Sequence, residues 1–130
     1  MNFTMTELLK SETATKNKIN NIPTDTKVLD NLLDLIVYVL QPLRDKLKKP
    51  IIITSGYRCK NLNTLVGGVG NSQHLYGQAC DFVVPNMTVQ QVFDFVKSSG
   101  IEFDQCIQEY NQWVHISFVK NNNRKQAFKL

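Results

Sequence analysis

An α+β fold, with a small, largely antiparallel sheet and helices packed against it, is what the order of patterned segments predicts. Helical patterns occupy the first third of the chain, and strand-like runs joined by one further helix follow them. The 130 residues are 42% hydrophobic and 20% charged, which suits one buried core and a single domain over the whole chain.

Each element has its own signal. "FTMTELLKSETA" places Glu7 three residues after Thr4, the capping box that opens a helix. "NNIPTDT" interrupts it, because Pro23 biases Ile22 away from helical backbone. From Asp25 to Lys48, apolar residues recur three and four apart, as in Val28, Leu32, Leu35, Ile36, Val39, Leu43 and Leu47. That is the stripe of a long amphipathic helix lying on a core. Pro42 falls inside it and predicts a kink or local break.

"PIIITS" is β-branched and reads as a buried strand. The segment after it, "GYRCKNLNTLVGGVGNSQHLYGQA", is rich in Gly and Asn and reads as a long loop, a kind of segment that in compact domains usually carries function. "CDFVV" is a second strand, ended by Pro85. Thr88 and Gln91 cap a helix whose inner stripe is Val89, Val92, Phe93 and Val96, and Gly100 closes it. "EFDQCIQEY" and "WVHISFV" are two strands about a turn, and the Asn- and Lys-rich C-terminus reads as a frayed end.

Composition narrows the function classes. No apolar run approaches the roughly 20 residues that cross a bilayer, and "MNFTMTELLKSETATK" lacks the basic start and apolar centre of a secretory signal. Synthesis in the cytoplasm, without a membrane partner, is therefore expected. The formal charge of +4 is spread through "RDKLKK", "RCK" and "NNNRKQAFK" without interleaved aromatics. No nucleic-acid partner is expected, whereas a mild positive field suits an anionic polymer such as a bacterial wall. Cys59, Cys80 and Cys106 show no metal-binding spacing and cannot all pair, so free thiols are expected.

Alternation in "WVHISF" sends Val114, Ile116 and Phe118 to one face and Trp113, His115 and Ser117 to the other. In "ACDFVV", Asp81 likewise points away from Cys80, Phe82 and Val84. A carboxylate among apolar neighbours is costly to bury unless paired or bound to metal. Together with His74 of "SQHLYGQACDF", these residues supply two imidazoles and a carboxylate, the ligand set of a catalytic zinc site that leaves a position open to water. The spacing is not the helical H-E-x-x-H arrangement, so pattern alone leaves their convergence open.

"SGYR" at 55–58, "SQHLYGQACD" at 72–81 and "WVHIS" at 113–117 resemble the signature of one zinc peptidase family. It comprises bacterial D-alanyl-D-alanine carboxypeptidases and dipeptidases and phage L-alanyl-D-glutamate endolysins, and the sonic hedgehog signalling domain shares its fold. The family pattern S-x-H-x-x-G-x-A-x-D, followed by W-x-H, is matched at each fixed position, and "LQPLRDKL" resembles the helix before it. The resemblance implies a hedgehog/DD-peptidase-like fold with one zinc per chain, bound by His74, Asp81 and His115. It implies that Arg58 receives a substrate carboxylate or carbonyl, a role suited to a planar guanidinium. Ser72 would orient the loop or a ligand, Gly77 would allow the close return turn, and Tyr57 and Trp113 would line the groove. The implied substrate is a peptidoglycan stem peptide cut by a monomer, in the manner of a phage or prophage lysis enzyme or a domain of a larger protein.

The general base departs from the family. Several members carry an acid three residues before the last histidine, where this chain has Gln112. Glu109 is the nearest carboxylate. A three-residue turn at 110–112 puts Glu109 on the face of His115, whereas a turn of Asn111 and Gln112 alone sends it to the core side. The cost of burying an ionised glutamate in a core favours the first register and Glu109 as base. Asp104, read as an exposed strand-start residue, is the reserve. The absence of an acid at 112 also allows a non-catalytic, zinc-stabilised binding module.

Overall fold

The computed structural model describes residues 1–130 and is α+β. Two short helices, α1 (Met5–Leu9) and α2 (Glu12–Lys16), lead into α3 (Thr26–Leu35). The predicted capping box opens α1, and Ser11 then caps α2, so the first helical stretch is split at Lys10. A π-helical turn at Ile36–Leu40 links α3 to α4 (Gln41–Leu47), with Pro42 near the start of α4. Pro42 lacks an N–H and its ring crowds the carbonyl four residues earlier; the wider π turn takes up that conflict without breaking the rod.

Five strands follow: β1 (Ile52–Ser55), β2 (Ala79–Val83), β3 (Gln105–Glu109), β4 (Trp113–Ser117) and β5 (Gln126–Lys129). They form one sheet in the order β1-β2-β4-β3-β5. Every pairing is antiparallel except β3 with β5. Helix α6 (Val89–Ser98), opened by the predicted Thr88–Gln91 capping box, packs on β3 and β4. The core lies between the helices and one sheet face. It joins Leu32, Leu35, Leu40 and Leu43 to Phe82, Phe93, Val96, Val114 and Ile116.

Three sequence expectations are corrected. The "PIIITS" strand is not buried: β1 is an edge strand, and Ile52 is 47% exposed. The long Gly- and Asn-rich segment has structure of its own, in α5 (Lys60–Leu65) and a 3₁₀ turn at Gln73–Tyr76. The C-terminus is not frayed, because β5 completes the far edge of the sheet. The three cysteines are free, as expected, and burial pushes the Cys106 thiol up to about 12.

Gly77 ends the 3₁₀ turn at φ +72, and a Cβ there would lie 2.6 Å from the Val28 carbonyl oxygen. The turn is thereby seated against α3. Gly77→Ala combines left-handed backbone with a clash and is expected to cost about 2–4 kcal/mol of stability. Urea unfolding measures it; a wild-type midpoint would contradict the packing.

Candidate metal centre and active site

The register of the sheet explains how the candidate ligands meet. Asp81 on β2 lies directly opposite His115 on β4, and directly opposed residues of an antiparallel pair share a face. Ser55 pairs with Asp81 from the other side. The site therefore forms on the face away from Phe82, Val114 and Ile116. His74 arrives from the 3₁₀ turn that precedes β2, with its backbone N–H donating to Ser72 Oγ at 3.2 Å.

His74, Asp81 and His115 are all buried, and one ligand atom from each falls within 4.8 Å of the others. Asp81 Oδ1 is 2.9 Å from His115 Nδ1 and 3.4 Å from His74 Nε2. The two rings meet edge-on, with centroids 5.1 Å apart. Burial alone would raise the Asp81 carboxyl, but hydrogen bonds from His115 and His74 and their charges outweigh it and hold the group well below the usual carboxylate range.

These residues fit a metal ion on a specific ground. His74 Nδ1 sits 2.7 Å from the Gly56 carbonyl oxygen. A carbonyl has no proton to give, so Nδ1 carries a hydrogen and Nε2 is the ring atom turned inward, where loss of its own proton would offer a lone pair to a metal. Nε2 faces Asp81 Oδ1, so a cation that displaces the shared proton would find an acceptor on either side. One ligand atom from each of three buried side chains aimed at one point suits a cation between them, and a set of two nitrogens and one oxygen suits zinc.

A cleft of about 800 Å³ reaches the triad at Asp81 and is lined by Arg58, Tyr57, Asp81 and Trp113, by strand β1 and by α1–α2. Arg58 donates from Nε to Ser55 Oγ at 3.2 Å and from Nη1 to Asn63 Oδ1 at 3.1 Å, and Nη2 stands 3.6 Å from Asp81 Oδ2. Its pKa is lowered, because desolvation outweighs the nearby carboxylates of Asp81 and Glu109. The Trp113 indole N–H is buried without a partner. Tyr57 borders the cleft while also belonging to the core.

The hairpin takes the three-residue register, with Glu109 opposite Trp113. Glu109 Oε1 is 3.6 Å from His115 Nδ1. Gln112 is exposed in the turn. Asp104, expected at the surface, is instead 1% exposed and bonded to Arg124 and Gln73. With its oxygens so engaged, it has no free acceptor with which to serve as reserve base.

A family model described as peptidase M15 matches residues 1–117. The chain belongs to the peptidase M15 family. It is also 41% identical over 46 residues to the zinc D-Ala-D-Ala carboxypeptidase of Streptomyces albus G. That stretch is 35% of this chain and 18% of the relative, so the chain spans far less than the relative's length. No helix is long and apolar enough to cross a membrane.

Asn21 lies in a segment whose pattern marks only a helix break, yet it anchors the loop beside the site. Its side chain donates to the Leu9 and Tyr57 carbonyls and accepts from the Cys59 N–H at 2.7 Å, fastening the Arg58 loop to the N-terminal helices. Its type in a turn carried no signal of this.

The environment of Asp104 predicts a pH dependence. Hydrogen bonds from Arg124 outweigh desolvation and lower its pKa. A depressed carboxylate contributes stability that is present above its unfolded pKa of about 3.9 and lost as pH falls through the folded value. Asp104→Asn should thus be less stable than wild type at neutral pH, with the gap closing below about pH 4. Denaturant unfolding across pH measures this, and a constant gap would contradict it.

Proposed function

We propose that this M15 peptidase is a zinc enzyme that hydrolyses peptide bonds in the stem peptides of bacterial peptidoglycan. The observation that carries the reading is the convergence of His74 Nε2, Asp81 Oδ1 and His115 Nδ1, with Arg58 3.6 Å from Asp81 and Glu109 3.6 Å from His115. The three ligand side chains would hold one zinc ion per chain, which supplies Lewis acidity and lowers the pKa of water toward about 7.

The chain's own groups divide the remaining work. Glu109 is 19% exposed at its side chain and opens to the same face as His115. Its Oε1 takes the proton of the attacking water and returns it to the leaving amine. Arg58 is fixed by Ser55 and Asn63, so its remaining guanidinium N–H groups are presented with little loss of rotamer freedom to a carboxylate or carbonyl of the peptide. Ser72 acts on the site through the backbone of His74, and Trp113 and Tyr57 form the wall on which the peptide lies. The relative's name supports a D-Ala-D-Ala substrate, and an L-Ala-D-Glu endopeptidase activity is the other form of the same chemistry.

Digestion of purified peptidoglycan by the zinc-loaded chain, read by mass spectrometry, tests the proposal. Release of D-alanine identifies a carboxypeptidase, and release of free stem peptides an endopeptidase. Glu109→Gln should lower turnover by about 10²–10⁴-fold while zinc stays bound, and His115→Ala should lose both. Tight zinc binding without any hydrolysis would favour the non-catalytic module, for which the absence of an acid at Gln112 is the supporting observation.

A further inference from the structure

We infer that Arg124, acting through Asp104 and Gln73, is a positioning residue for the turn that carries His74. The inference rests on the zinc reading of that site.

Asp104 is a buried carboxylate with its acceptor sites filled. Oδ1 accepts from the Arg124 backbone N–H at 2.9 Å and from its Nε at 3.0 Å. Oδ2 accepts from Arg124 Nη2 at 2.6 Å and from Gln73 Nε2 at 2.9 Å. Gln73 is the first residue of the 3₁₀ turn, immediately before His74. One carboxylate thus joins the C-terminal arm to the turn that presents a candidate metal ligand. A second bond joins the other end of the turn to the same arm, where the Phe118 N–H donates to the Gln78 carbonyl at 2.9 Å.

Arg124 adds little packing, since its side chain is 52% exposed. Its contribution is charge and geometry at Asp104. The arm beyond residue 117 also lies outside the family match. The matched segment therefore contains the buried carboxylate, while the cation that neutralises it comes from the following arm.

Without Arg124, Asp104 keeps a single side-chain donor and must admit water or take up a proton. Either change shifts Oδ2 away from Gln73 Nε2. The leading end of the turn then loses its anchor, and His74 Nε2 loses its fixed place relative to Asp81 Oδ1 and His115 Nδ1. No member of this relay touches substrate, so the effect falls on metal affinity before it falls on chemistry.

Zinc affinity measured by competition with a chromophoric chelator, on chains shown to be folded by circular dichroism, tests this. Arg124→Ala and Gln73→Leu should each weaken zinc binding about tenfold. The double variant should be no weaker than the poorer single one, because both cut the same relay. Arg124→Lys should recover part of the loss, and Gln126→Ala, on β5 but outside the relay, should bind as wild type. Single variants with wild-type affinity, or losses that multiply in the double variant, overturn the inference. Should Arg124→Ala not fold, Gln73→Leu decides alone, since it leaves the Arg124–Asp104 pair in place. A wild-type chain that binds no zinc overturns the metal reading and this inference with it; a wild-type chain that binds zinc beside unaffected variants overturns the inference only.

Discussion

Burial of the Asp81 carboxylate is the constraint around which the site is arranged. It is 5% exposed, in the middle of β2, and the desolvation of an isolated carboxylate costs several kcal/mol. The surroundings must answer that cost with donors and positive charge. Strand register brings His115 to it, the 3₁₀ turn brings His74, and the loop after β1 brings Arg58. The contacts outweigh burial, so the carboxylate stays ionised at neutral pH and remains a hard anionic ligand. A lone aspartate here would be a defect; with these neighbours it becomes the centre of a candidate cation site.

The backbone holds that arrangement from the N-terminal side. Gly56 gives its carbonyl to His74 Nδ1, and a Cβ at Gly56 would come within 2.2 Å of the Leu8 oxygen. That same oxygen accepts the Tyr57 N–H at 2.7 Å, and the Arg58 N–H donates to the His74 carbonyl at 3.1 Å. Helix α1, the Arg58 loop and the His74 turn are consequently one hydrogen-bonded unit. The two short N-terminal helices do more than cover the core: they fix the tautomer and direction of a candidate ligand through a glycine that no larger residue could replace without displacing Leu8.

What could be read from sequence was local or carried by alternation. Both capping boxes lie within four residues, and the face shared by Asp81 and His115 follows from period-two patterning in two strands. The illegible features depend on distant partners. A β-branched run such as "PIIITS" looks the same at a sheet edge as at its centre. Strand β5 is exposed along its whole length and pairs with β3 from about twenty residues away, so no apolar pattern marks it. Asp104 reads as exposed for the same reason, because the arginine that makes its burial tolerable lies beyond the hairpin. Asn21 carries no local signal because its three partners come from two separate segments.

The length of the hairpin turn carries more chemical consequence than the identity of residue 112. Tyr110 and Asn111 take φ of 55° and 57°. The buried Gln108 side chain accepts from the Asn111 N–H at 2.9 Å and donates to Gln90 on α6. Gln108 thus faces the core helix, and strand alternation obliges Glu109 to face the other way, toward His115. Shortening the turn by one residue would exchange those two faces, burying the glutamate against α6 and leaving the site with an amide. On the proposed mechanism, an acid immediately before β4 is therefore not the only way to place a base beside His115. The preceding strand can supply it, provided the turn keeps three residues, and the fit of Gln108 into the turn and against α6 favours that length.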